Sequence, residues 1–195
     1  TFYDTIVYTH HGPVVWDNTY NGKNIEVTKD NVGLALHWLA HGKSNELLTF
    51  YSLNKASNYD EFQKSLIHYI CPGQNFIYSD INNNIAIFHS GKSPIKWKRQ
   101  GMFISDGTNK YYDWNDYIPF NHRPSMLNPK KGYLSSANQN PVDRKYPYYL
   151  SEYFAPSYRG TQINVRLDTL YKASIDDMMS IQLDNTSLIA KNILP

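Results

Sequence analysis

Apolar positions recur along this chain with two different periods, and the switches between them mark its elements. Residues 3–29 alternate polar and apolar side chains, most clearly from Tyr3 to Trp16. This predicts strands, interrupted at Gly12-Pro13. The apolar stretch 32–40 is short enough to read as another strand. From 44 to 56 the period lengthens. Leu47, Phe50, Tyr51 and Asn54 fall on one helical face, and Ser44 is the expected cap. Asn58, with Glu61 at capping-box spacing, opens a second helix. Its stripe is Phe62, Leu66, Tyr69 and Ile70, and Pro72-Gly73 ends it.

Residues 75–91 read as a β-hairpin, because two apolar runs flank Asp80-Ile81-Asn82-Asn83-Asn84. Little periodicity survives over 92–131. Residues 132–138 predict a short strand, and two prolines keep 141–150 extended. A helix is expected from about Thr161 to Tyr171, with Ile163, Leu167, Leu170 and Tyr171 on one face. Another starts at Ser174, where Ser174 and Asp177 form a cap-like pair and Ile175, Met178 and Met179 form the stripe. Residues 186–194 predict one more. Antiparallel strands mixed with helices give an α+β class.

The chain has 195 residues, enough for one domain or a large part of one. Hydrophobic residues make up 41% and charged residues 18%, which supports a packed core. The 17 Tyr, 8 Phe and 4 Trp serve a core or a ligand pocket equally well. A net charge of +2, with no basic cluster beyond Lys96, Lys98 and Arg99, predicts no nucleic-acid partner. No apolar run approaches the ~18 residues that span a bilayer, so no membrane partner is expected. No signal peptide is visible, and the chain starts with Thr1.

Several residue groups suggest chemistry and then weaken. His37 and His41 have zinc-binding spacing, but Trp38 stands where a metalloprotease helix needs Glu, so no metal is expected. His10 and His11 read as strand neighbours pointing to opposite faces, not as a pair. The lone Cys71 has no basic partner in sequence and reads as an inert thiol. Ser135 and Ser136 lack a nucleophile elbow and read as strand residues. Residues 80–86 lack the spacing of a calcium loop. An N-terminal Thr can act as a nucleophile with its own amine as base, yet Thr1 opens what reads as an interior strand. These residues alone describe a globular α+β domain without an assigned function.

Three stretches together resemble the penicillin amidase family, which includes penicillin acylases and acyl-homoserine-lactone acylases. Residues 54–96 carry a helix, then Asn75-Phe76-Ile77-Tyr78-Ser79-Asp80, then a hairpin ending in Gly91-Lys92-Ser93-Pro94-Ile95. Residues 111–141 carry Asp113-Trp114, Pro119-Phe120, Asn128-Pro129, Gly132-Tyr133, Ala137-Asn138 and Pro141. Residues 146–163 carry Tyr146-Pro147 leading to Arg159 at a helix start. Weaker likeness extends to 8–15 and 181–195.

The resemblance implies part of the αββα sandwich of N-terminal-nucleophile hydrolases, with 1–195 as one partial domain, the central slice of a β chain. It implies amide hydrolysis by an N-terminal Ser that lies upstream of Thr1, with no turnover by this piece alone. Asn138 matches the oxyanion asparagine and Arg159 the arginine beside it. Phe50 and Gln74 fall at acyl-pocket positions. Some members hold a structural calcium, but Leu150 replaces an expected carboxylate, so no cofactor is expected. The implied partners are an acyl-amide substrate, the other β-chain segments and an α chain, in an extracytoplasmic compartment. Missing neighbours would leave apolar faces exposed and favour self-association. A non-catalytic module that kept the fold is the alternative, and a processing site followed by Ser upstream would separate the two.

Overall fold

The computed structural model describes residues 1, 3, 5–17 and 32–194. Strands β1 (Tyr8–Thr9) and β2 (Gly12–Trp16) pair antiparallel, with Thr9 opposite Gly12. The expected strand content of 18–29 lies outside the described residues. His10 and His11 therefore form the two-residue turn of a hairpin, not a strand. Their rings meet at 3.8 Å between centroids, against the expectation that they point apart. A turn reverses the chain, so strand alternation does not apply there. β3 (Leu34–Ala35) adds to the other edge of β2. The rest of the expected strand over 32–40 is irregular, closing in a 3₁₀ turn at Leu39–His41.

Gly12 fixes this hairpin. It sits at φ +138°, and a Cβ there would drive into the Leu36 carbonyl oxygen. The Leu36 N–H already donates to Pro13 O at 2.9 Å, so that backbone has no room to yield. Gly12→Ala is expected to cost about 2 kcal/mol or more in urea unfolding. Gly33→Ala meets only ordinary contacts and should stay within about 1 kcal/mol. Equal midpoints for the two variants would contradict this account.

Helix α1 (Glu46–Leu53) is capped by Asn45, whose side chain accepts from Leu48 N–H. Ser44 stands one residue too early and donates instead to the Glu46 carboxylate. The inward face also differs from the expected one. Thr49 is buried and Leu53 joins the core, while Leu47, Phe50 and Tyr51 are exposed. Helix α2 (Tyr59–Ser65) starts at the expected Asn58 cap. The Glu61 carboxylate accepts from Ser57 N–H, one residue before the box position. The helix tightens into a 3₁₀ turn at Leu66–His68, so Tyr69 is buried from beyond its end.

The hairpin β4 (Gln74–Ser79) and β5 (Ile85–Ser90) is continuous. Asp80 closes its turn, accepting from the N–H groups of Asn82 and Asn84, from Asn84 Nδ2 and from the Tyr78 hydroxyl. These bonds, led by the Asn84 side chain, hold the Asp80 carboxyl below its usual range. β6 (Ser125–Leu127) pairs with the far edge of β5 inside the stretch that showed no periodicity. The expected strand at 132–138 is irregular and joins no ladder among the described residues.

α3 (Tyr158–Asp168) begins before the expected Thr161. α4 (Ile175–Gln182) carries the full capping box between Ser174 and Asp177, and α5 (Leu188–Ile193) follows. Phe62, Leu66 and Phe88 form the core, with Leu53, Phe76, Tyr78 and Phe120 packed around them. Thus α1 and α2 cover one face of β4–β5. Strand alternation puts Asn75, Ile77, Ile87 and His89 on the other face, where Ile77 is 58% exposed. Ile175, Met178 and Met179 are exposed as well. Among the described residues, no helix is long and apolar enough to cross a membrane.

Asp184 ties α3 to the chain before α5. It accepts from Gln162 Nε2, from Arg166 Nη1 at 2.9 Å and from Thr186 N–H. Bonds from the Thr186 hydroxyl, then from Gln162, hold its carboxyl far below the usual range. A depressed folded-state pKa stabilises the protein above the unfolded value of about 4 and loses that contribution as pH falls further. Asp184→Asn is therefore expected to flatten the fall of the urea midpoint below about pH 4. A mutant that loses stability with acid as steeply as the parent would rule this out.

Candidate active site

Arg159 lies in the first turn of α3 and reaches back across the chain to the loop at 137–139. Its Nη2 donates to Asn138 Oδ1 at 2.8 Å and to Ala137 O at 3.1 Å. A guanidinium can only donate, so the oxygen of the Asn138 amide faces it. The Nδ2 group then points away with two N–H bonds, and it meets no acceptor among the described residues. Asn138 is exposed.

The backbone beneath this amide is fixed from several sides. Asn138 adopts φ +63°, a left-handed conformation that asparagine tolerates better than most residues. Its carbonyl accepts from Ala155 N–H at 2.8 Å. Ala137 N–H donates to Gln139 Oε1, and the Ala137 side chain is buried beside Gly160. Before Asn138, side chains do what a sheet ladder would otherwise do. Lys131 Nζ and the Ser135 hydroxyl both donate to Asn164 Oδ1 on α3, and Tyr133 donates to Asp168. Ser136 Oγ accepts from Asn75 Nδ2 on β4 at 2.7 Å.

Asn75 is held in turn by His89. The Asn75 amide oxygen can only accept, so His89 Nδ1 carries the proton across their 2.9 Å contact. Burial, and then the nearby charge of Arg123, push the His89 pKa down, which favours the neutral ring. The order of support therefore runs from β5 to β4 to Ser136 to the loop that bears Asn138. An amide donor on so constrained a backbone can receive negative charge on an incoming oxygen without reorganising.

The structure brings Asn138 and Arg159 together. Phe50 is half-exposed on α1 and its ring approaches Tyr69 and Phe76. Gln74 opens β4 and is exposed. Neither shares a hydrogen bond or ring contact with Asn138 or Arg159. Thr1 is exposed and likewise unconnected to them. Asn75, Gln139, Ala155 and Asn164 support the loop without having been singled out in the sequence. Only Asn75 had a readable signal, as the first residue of the Asn-aromatic-x-Tyr-x-Asp pattern.

The sequence model of the family described as penicillin amidase matches residues 2–195. An acyl-homoserine lactone acylase QuiP from Pseudomonas fluorescens (strain Pf0-1) is 24% identical over 190 residues, covering 97% of this chain and 22% of that protein. A penicillin G acylase from Escherichia coli is 30% identical over 125 residues, covering 64% of this chain and 14% of that protein. The chain thus spans about a fifth of the curated relatives it matches. Among solved structures, a thermostable penicillin G acylase from Alcaligenes faecalis superposes with a TM-score of 0.64 at 19% identity. That match covers 90% of this chain and 30% of the other, so the two share a fold.

Proposed function

The chain belongs to the penicillin amidase family, and from that premise we propose that it forms the oxyanion-binding part of an amidohydrolase acting on acylated substrates. The substrate class is a β-lactam side-chain amide or an N-acyl-homoserine lactone. The observation that carries this reading is the polarised amide of Asn138, whose oxygen is taken by Arg159 and whose Nδ2 is left to donate.

In the proposed reaction an N-terminal Ser outside these 195 residues attacks the substrate carbonyl. Its free amine takes the hydroxyl proton, because a serine hydroxyl is a weak nucleophile until a base does so. The carbonyl oxygen becomes negative as the tetrahedral intermediate forms. Asn138 Nδ2 donates to that oxygen. Arg159 is a positioning residue: it fixes which end of the amide faces the substrate, and its charge favours the build-up of negative charge. Phe50 and Gln74 would line the pocket for the acyl group. Leu150 offers no side-chain oxygen at the position where the resemblance expects a calcium-ligating carboxylate, and no step above uses a cofactor.

On this reading residues 1–195 are one central slice of a β chain, whose partners are the remaining β-chain segments and an α chain. An extracytoplasmic compartment fits the same reading. The test is hydrolysis of a chromogenic acyl anilide and of an N-acyl-homoserine lactone by the full-length protein. Release of the amine from either supports the proposal. A folded full-length protein that hydrolyses neither would instead fit a non-catalytic module.

A further inference from the structure

The turn of the β1–β2 hairpin meets a second part of the chain, and the two together hold an arrangement of ligand atoms that the amidase chemistry does not use. His10, His11 and Asp113 each present one nitrogen or oxygen, all within 4.8 Å of one another. His11 Nε2 lies 2.8 Å from Gly107 O. A carbonyl can only accept, so Nε2 carries the proton, and in the neutral ring Nδ1 presents a lone pair. That lone pair faces Asp113 Oδ1 at 3.8 Å. Two electron-pair donors thus face each other with a gap between them. A hydrogen bond from the second ring nitrogen to a backbone carbonyl is also how metal-bound histidines are commonly oriented.

We propose that His10, His11 and Asp113 bind a divalent first-row transition metal of the zinc type. Two imidazoles and one carboxylate suit zinc, nickel or copper better than calcium or magnesium. Bond lengths of about 2.0–2.2 Å to nitrogen and oxygen bring such ligands to separations a little over 3 Å. The 3.8 Å gap between His11 and Asp113 closes to this by a small movement of the Asp113 carboxylate, and the exposed His10 need close a separation of at most 4.8 Å.

The surroundings are preformed for it. Gly12 locks the turn, as argued above. His11 packs directly on Gly107, where a Cβ would crowd its ring. Trp114, next to Asp113, stacks on His37 at 3.8 Å, and the His37 ring lies 5.8 Å from that of His11. His10, His11, Gly12, His37 and Trp114 line an open groove of about 330 Å³ that His41 also borders. Three protein ligands leave at least one coordination position for water or an exogenous ligand.

The test is calorimetric titration of the chelator-stripped full-length protein with zinc chloride. One saturable zinc site per chain is expected. His10→Ala and Asp113→Asn should each weaken it tenfold or more, with the far-ultraviolet dichroism of the fold retained. His68→Ala, at an exposed histidine on a different part of the chain, should leave the affinity unchanged. Calcium chloride should give no comparable heat. No saturable zinc binding would mean that His11 and Asp113 form an ion pair only, and the proposal would fail. It would fail equally if both His10→Ala and Asp113→Asn kept the parental affinity.

Discussion

Asn138→Ala in the full-length protein is expected to lower kcat for amide hydrolysis by about 10²–10³-fold, with KM little changed. The expectation follows from where the charge appears. The substrate carbonyl carries little charge in the ground state, so a weak hydrogen bond from Nδ2 adds little to binding. In the tetrahedral intermediate the same oxygen is an anion, and the donor is worth several times more. Arg159→Ala should act through Asn138. It removes the 2.8 Å bond that orients the amide, so the oxygen end can turn toward the substrate and repel the developing charge. Because both changes remove one device, the double variant should be little worse than Asn138→Ala. Independent, multiplying losses would show that Arg159 acts on the substrate directly. An Asn138→Ala enzyme with parental kcat would remove the asparagine from the mechanism.

Much of the frame around this amide could be read from residue order, and the misses have local causes. The β4–β5 hairpin was legible because two alternating runs flank an Asp/Asn turn, and Asp80 closes it with four accepted bonds. The Ser174–Asp177 box was legible for the same reason: local hydrogen bonding needs no knowledge of the rest of the chain. β6 was not, because three residues are too few to show a period and its partner lies about forty residues away. The inward face of α1 was misread because Leu47, Phe50 and Tyr51 are more apolar than Thr49, yet Thr49 is the residue against the core. Apolar character marks a face that prefers burial, and only packing decides which face is covered. At the candidate site, Asn138 and Arg159 were named through resemblance alone. Nothing local in Ala137-Asn138-Gln139 predicts a left-handed asparagine whose amide is polarised by a helix twenty residues on.

Phe88→Ala is expected to be the most destabilising single truncation in the core, by about 3–5 kcal/mol. Phe88 is almost fully buried on β5, between Phe62 of α2 and Leu66 of the following 3₁₀ turn on one side and the ring of Phe120, stacked at 5.0 Å, on another. Removing the ring leaves a cavity bounded by aromatic groups that cannot close over it without shifting α2. Ile77→Ala on the opposite face, where the side chain is mostly exposed, should cost less than about 1 kcal/mol. Urea unfolding of both variants measures the contrast, and equal losses would contradict the assignment of the core. The site should feel the same change. His89 follows Phe88 on the strand and holds Asn75, which holds Ser136 two residues before Asn138. A Phe88→Ala protein that is still folded at low temperature should therefore lose kcat more than affinity. Phe88→Leu, which refills most of the cavity, should recover both stability and rate, because the loop bearing the oxyanion donor is only as rigid as the hairpin it is fastened to.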